Sequence, residues 1–367
     1  MKKLVALTAG IVFGLIALFA LYSYATSDHK ISAGQPARKT APVTSSTPTV
    51  TPGLILQTSP VQKKLSGGTQ VFQTFNNCGP AALSMTLSHY GIFVSQQELG
   101  QALRPYQNPQ GDNDDKSVVL DELAYFAEKN YDFIPYHRPV GNMDLVKLFI
   151  TYDMPVITRT LLREGEDIGH YRVITGYDDN RKILIQDDSL QGKQLTYSYD
   201  EFNRLWEVFS YEYVVLVPHE KKEIAEAILG DYVNERYAWE QSVSLATDSL
   251  KQNPNNMYAT FNRSVAYYHL GQYEKAIADF ESVENQLPWR TLWYQIDPIL
   301  AYYQLGNFDR VLSITDQILT NHNRAFSELY FLRGKIYEKH GNESAAQEEF
   351  RNVELYNSSF DPEVLAL

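Results

Sequence analysis

Residues 72–91 read "FQTFNNCGPAALSMTLSHYG" and contain the only cysteine of the chain. Pro80 suits the first turn of a helix, where its missing N–H would have no partner in any case, and Gly91 suits the stop. A helix starting there puts Cys78 at or just before the cap. Unpaired N–H groups and the macrodipole favour an anion at that place. A thiolate is such an anion, and helix N-termini and nearby imidazolium groups are the surroundings that make a thiol reactive at neutral pH. A lone cysteine is more commonly a small, inert core residue. Asn76, Asn77 and Gly79 argue against that here, because they surround Cys78 with polar, turn-forming neighbours.

Outward from this helix, "SVVLDELAYFAEK" and "NMDLVKLFITY" carry apolar residues at helical spacing. "PVITRT", "YRVITGY", "KILIQD" and "EYVVLVP" are short β-branched or aromatic runs between turn residues, and they predict strands. Helices first and an antiparallel sheet second make an α+β domain over residues 61–218.

A nucleophilic cysteine needs a base. Of the eight histidines, His29, His219, His269, His322 and His340 fall outside the strand-bearing block. His89 lies on the Cys78 helix about three turns away. His137, in "PYHRPV", reads as part of an exposed, proline-flanked connector. His170 opens the strand "HYRVITGY" after a charged turn and is the preferred base. The imidazole needs an acceptor to fix its tautomer. "KILIQDDSLQG" offers Asp187 and Asp188 where a strand breaks into a turn, and alternation lets only one face back. An oxyanion would need the Cys78 N–H and a side-chain amide, for which Gln73 is the first candidate and Gln70 the reserve.

The glutamine, "NNCGPAALSMTLSHYG", "GHYRVITGYDD" and "ILIQDDSLQG" together resemble the papain-like cysteine peptidases. The nearest branch is the one related to the double-glycine leader peptidases of bacteriocin exporters. The resemblance covers about residues 68–217. It implies Cys78 as nucleophile, His170 as general base and acid, Asp188 as the orienting carboxylate and Gln73 in the oxyanion hole. The glutamine of those relatives usually stands one residue further from the cysteine. Their aspartate usually precedes Pro or Ser, which favours Asp188 over Asp187.

After Lys222 a repeat takes over. "AYYHLGQYEKAIADF" from Ala266, "AYYQLGNFDRVLSIT" from Ala301 and "IYEKHGNESAAQEEF" from Ile336 superpose at a period of 35, with Gly271, Gly306 and Gly341 in register. Stacked helix hairpins are the physical reading, since one hairpin cannot bury its apolar face alone. Residues 222–357 resemble tetratricopeptide repeats, an all-α solenoid. Pro298 falls inside a first helix of the pattern and predicts a kink.

Before the catalytic block, Lys2 and Lys3 precede an uncharged run from Leu4 to Thr26. It is long enough to span a bilayer, so residues 1–26 predict a signal anchor with extracytoplasmic domains beyond it. Ser23 and Ala25 also fit the small residues of a cleavage site, which would make the protein secreted. Residues 27–60, rich in Ser, Thr and Pro, read as a disordered tether.

A net charge of −12 argues against nucleic acid as a partner. "GDNDDKS" at 111–117 lacks the central Gly and terminal Glu of a calcium loop and reads as a solvated turn. No phosphate loop, dinucleotide fingerprint or His-Glu helix motif is present, so no metal or cofactor is expected. The expectation is an exported, membrane-anchored cysteine peptidase acting on a peptide or protein substrate, with repeats that recruit a protein or peptide. The alternative is a non-catalytic scaffold of the cell envelope built from the same two parts.

Overall fold

In a computed structural model, residues 54–106 and 118–365 are described. The expected anchor, most of the tether and the "GDNDDKS" turn lie outside them. No helix of the described residues is long and apolar enough to cross a membrane.

Seven strands among the described residues form one antiparallel sheet: β1 (Gln62–Lys64), β2 (Phe133–Arg138), β3 (Val156–Leu161), β4 (Gly169–Asp178), β5 (Ile183–Asp188), β6 (Gly192–Ser198) and β7 (Tyr213–Pro218). Their order is β2-β7-β3-β4-β5-β6, and β1 pairs with the far end of β4. The run "YVVLVP" is apolar throughout because both faces of β7 are covered. Tyr213, Val215 and Val217 face a core with Phe149, Ile150 and the helix Lys222–Leu229, through Ala225 and Leu229. Val214 and Leu216 face a second core with Ala82, Leu83 and Leu87 of the Cys78 helix and with Leu123 and Ala127 of the helix Leu120–Tyr131. The Cys78 helix, Cys78–His89, is thus pinned along nearly its whole length; only His89 is not buried.

Two expectations need correction. His137 is not in an exposed connector: it lies in β2 paired with Val214, and its side chain is only 10 % exposed. Pro135 and Pro139 flank it without breaking the strand. β2 is the edge of the sheet, where a residue without an N–H is tolerated. Pro298 does not kink a helix. It sits in the first turn of Asp297–Gln304, and a separate turn, Thr291–Tyr294, precedes it.

The repeat region is helical throughout. The pairs Met257–His269 with Tyr273–Val283, Asp297–Gln304 with Phe308–Asn321, and Ser327–Lys339 with Glu343–Tyr356 stack over one core that includes Phe261, Phe280, Tyr302, Ile314 and Leu332. Gly271, Gly306 and Gly341 stand at the turn within each pair with φ of 71°, 72° and 71°. That is the left-handed conformation in which glycine ends a helix without steric cost.

Candidate active site

Asn77 caps the helix that begins at Cys78, and its carbonyl accepts the first helical bond, from the Ala81 N–H, at 3.0 Å. The Asn77 side chain, fully buried, is tied instead to the Gln96 carbonyl at 2.9 Å. Arg104 donates to the Asn76 carbonyl. The turn carrying the cysteine is therefore fixed by side chains from the next helix, Gln96–Leu103, and its C-cap.

Cys78 is 4 % exposed and His170 3 %. The His170 imidazole and the backbone N–H of Tyr171 are the neighbouring groups that act on the sulfur. Burial pushes the Cys78 thiol up. The hydrogen bond and charge of His170, the Tyr171 N–H and the charge of Arg104 outweigh it, leaving the thiol lowered. Burial likewise opposes charge on His170, yet bonds to Asp188 and Cys78 hold its imidazole above the usual histidine range. Both shifts favour thiolate beside imidazolium.

His170 Nε2 lies 3.0 Å from Asp188 Oδ1, which leaves Nδ1 for the sulfur. Asp188 is opposite Arg172 across the β4–β5 ladder, one pair along from His170 on the same face. Its Oδ1 also accepts from the N–H groups of Leu190 and Gln191 at 2.8 and 2.9 Å, and Oδ2 stands 3.5 Å from Arg172 Nε. Burial would raise this carboxyl, but His170, Arg172 and the turn N–H groups keep it below the ordinary aspartate range. Asp187 is directed elsewhere and accepts from the Gln194 N–H at 2.9 Å.

Gln73 is tied to the same strand end. Its N–H donates to the Ser189 carbonyl at 2.8 Å, and its Oε1 accepts from Ser189 Oγ at 2.7 Å, which leaves the amide nitrogen as a donor. The amide nitrogen of Gln70 is committed to the Asp188 carbonyl at 2.8 Å. The fold therefore brings Cys78, His170 and Asp188 together and holds Gln73 against the residue after Asp188. His89 stays at the far end of its helix, its ring against Gly68.

Three contributors to this arrangement escaped the sequence reading. Arg172 is fully buried; besides Asp188, it braces the β3–β4 connection through the carbonyls of Leu161 and Leu162 at 2.9 and 2.8 Å. Its place two residues after His170 was the available signal. Arg104 adds positive charge near the sulfur. Tyr294, from the repeat region, accepts from the Gly169 N–H at 2.9 Å, and nothing in the local sequence announces it. Among the described residues no group of three or more His, Cys, Asp or Glu is placed to hold a metal.

Residues 57–214 match the Peptidase_C39 like family. The C39-like domain is followed by a tetratricopeptide-repeat match at residues 245–278. The chain is thus an α+β C39-like peptidase domain fused to helical tetratricopeptide-like repeats. A crystal structure assigned as a C39-like peptidase from Bacillus anthracis is similar over 43 % of this chain and 98 % of its own, at 16 % identity and a TM-score of 0.37. The peptidase domain of Streptococcus ComA, a bi-functional ABC transporter involved in a quorum sensing pathway, is similar over 41 % of this chain and 98 % of its own, at 23 % identity and a TM-score of 0.31. No curated protein matches the chain.

Proposed function

We propose that this protein is a cysteine peptidase hydrolysing a peptide or amide bond through a thioester, with Cys78, His170, Asp188 and Gln73 as its working residues. The observation that supports this most is the position of His170, whose Nε2 lies 3.0 Å from Asp188 Oδ1 while its imidazole draws the buried Cys78 thiol below its ordinary pKa. In this reading the thiolate attacks the carbonyl carbon, and the Cys78 N–H and the Gln73 amide receive the oxyanion. His170 passes its proton to the leaving amine, whose C–N bond breaks to leave the thioester. It then takes a proton from water, the resulting hydroxide adds to the thioester, and the thiolate departs. Asp188 keeps the ring in the productive tautomer and offsets its charge during both steps.

The apolar run from Leu4 to Thr26 supports placing both domains outside the cytoplasm on a membrane anchor, with the repeats recruiting a protein or peptide partner.

Iodoacetamide labelling of Cys78 across pH, in wild type and His170→Ala, tests the reading. Wild type should alkylate rapidly well below the ordinary thiol pKa of ~8.5, and the variant should be slower there. An unperturbed thiol profile in both proteins would overturn the assignment.

A further inference from the structure

β5 ends at Asp188, opposite Arg172, while β3 continues alongside β4 as far as Gly169. The first residues of β4 therefore have a strand on one side only. Backbone N–H groups two residues apart point to the same edge of a strand, and when buried they need acceptors. On this open edge the Gly169 N–H goes to the Tyr294 hydroxyl at 2.9 Å, and the Tyr171 N–H is the backbone group that acts on the Cys78 sulfur. Two such groups are about 7 Å apart along a strand. His170 lies between them.

Tyr294 belongs to the repeat region and is itself buried. Its ring lies on the Cα of Gly169, where an added Cβ would stand 2.9 Å from two ring carbons. The ring meets Phe209 edge-on at 5.8 Å between centroids. Its carbonyl accepts from Arg159 Nη1 at 2.7 Å, and Arg159 also bonds Glu212 at 2.7 Å. Four residues earlier, Arg290 pairs with Asp167 at 2.8 Å, just before β4 begins. The hydroxyl is thus held in place from both the strand and the helical side.

We propose that Tyr294 is a positioning residue for His170, so that the repeat region supplies the acceptor that fixes the open end of the catalytic strand. The proposal rests on the reading of Cys78 and His170 as the reacting pair. Without the hydroxyl, a buried N–H loses its partner and the strand end can shift. A displacement of about 1 Å is enough to disturb a bonded thiol–imidazole pair. The repeats then complete the site as well as serving as a surface for partners.

The test uses the full chain and iodoacetamide as the probe of the sulfur. Four variants are compared with wild type: His170→Ala, Tyr294→Phe, Gly169→Ala, which displaces the ring from the strand side, and Asn262→Ala. Asn262 donates to the Glu207 carbonyl at 2.8 Å, a contact between the two parts of the chain that does not touch β4. Near-UV circular dichroism identifies which variants are folded. Tyr294→Phe and Gly169→Ala should each move the alkylation midpoint toward that of an ordinary thiol and slow labelling at pH 6 about tenfold, whereas Asn262→Ala should match wild type. A wild-type profile in either folded variant, beside a shifted His170→Ala, overturns the role of Tyr294. An equal shift in Asn262→Ala also overturns it, since docking in general would then be responsible. A His170→Ala profile identical to wild type defeats the parent reading instead.

Discussion

Gln73 and Ser189 hold each other twice, through the Gln73 N–H on the Ser189 carbonyl at 2.8 Å and through Ser189 Oγ on Gln73 Oε1 at 2.7 Å. Because Ser189 follows Asp188, the loop before the cysteine is fixed to the strand end that orients the histidine. In the proposed mechanism Gln73→Ala lowers kcat by about 10²- to 10³-fold on a fluorogenic peptide library. Ser189→Ala, which frees the amide without deleting it, lowers kcat by roughly tenfold. Alkylation of Cys78, which develops no oxyanion, should stay near wild type in both. Slowed alkylation in Gln73→Ala would show that the glutamine shapes the thiol instead.

The depressed carboxyl of Asp188 gives a pH dependence with a definite sign. Its folded-state pKa lies below the unfolded value, so its contribution to stability is present above pH ~4 and is lost as pH falls through the folded pKa. Urea unfolding from pH 6 down to pH 3 should show wild type losing stability more steeply than Asp188→Asn. Parallel curves would contradict the depressed pKa.

His137 works in the opposite direction. Burial opposes its charge, but Asp121 and Glu212 on its two nitrogens push it up to about 10. Its contribution is complete below about 6.5 and disappears as pH rises through about 10. The Asp121 side chain is half exposed, so solvent weakens that partner, whereas Glu212 is buried and also bonds Arg159. The urea midpoint should fall between pH 7 and pH 10 in wild type, and fall less in His137→Gln.

Two glycines of the repeats separate crowding from backbone strain. An added Cβ at Gly334 would stand 2.4 Å from the Phe350 ring across the last helix pair, so Gly334→Ala should cost about 1–3 kcal/mol. At Gly306 nothing lies within 4 Å of an added Cβ, but φ is +72°, so Gly306→Ala should cost only about 1–2 kcal/mol from strain. Replacing Phe350 by Leu should relieve the first variant and leave the second unchanged in thermal unfolding. Equal relief of both would refute the distinction.

Much of this was readable in the residues. Pro80 and Gly91 bounded a helix that in fact runs Cys78–His89, and the β-branched runs and the period of 35 marked sheet and hairpins, because each signal is local. His137 was misread because Pro135 and Pro139 suggest a connector, and only the sheet order reveals that their strand is an edge. β1 and β6 are short or polar, so pairing partners rather than apolar alternation define them. Arg172 looked like one more strand residue; the carboxylate opposite it becomes visible only once β4 and β5 are in register. Tyr294 lies more than a hundred residues from Gly169, a separation that no local pattern can bridge.

Arg159 and Gln295 both end on Glu212, at 2.7 and 2.8 Å, and all three are buried where β3, the segment before β7 and the second helix pair meet. A chimera that exchanged the helical array for one from another protein would leave Arg159 and Glu212 paired with each other but remove the Tyr294 carbonyl and the Gln295 amide that complete their bonding, at about 1–3 kcal/mol for each buried group left unmet. The two parts of this chain are therefore poor candidates for modular exchange. Sequence drift on either side of that seam is tolerable only when the other side changes with it.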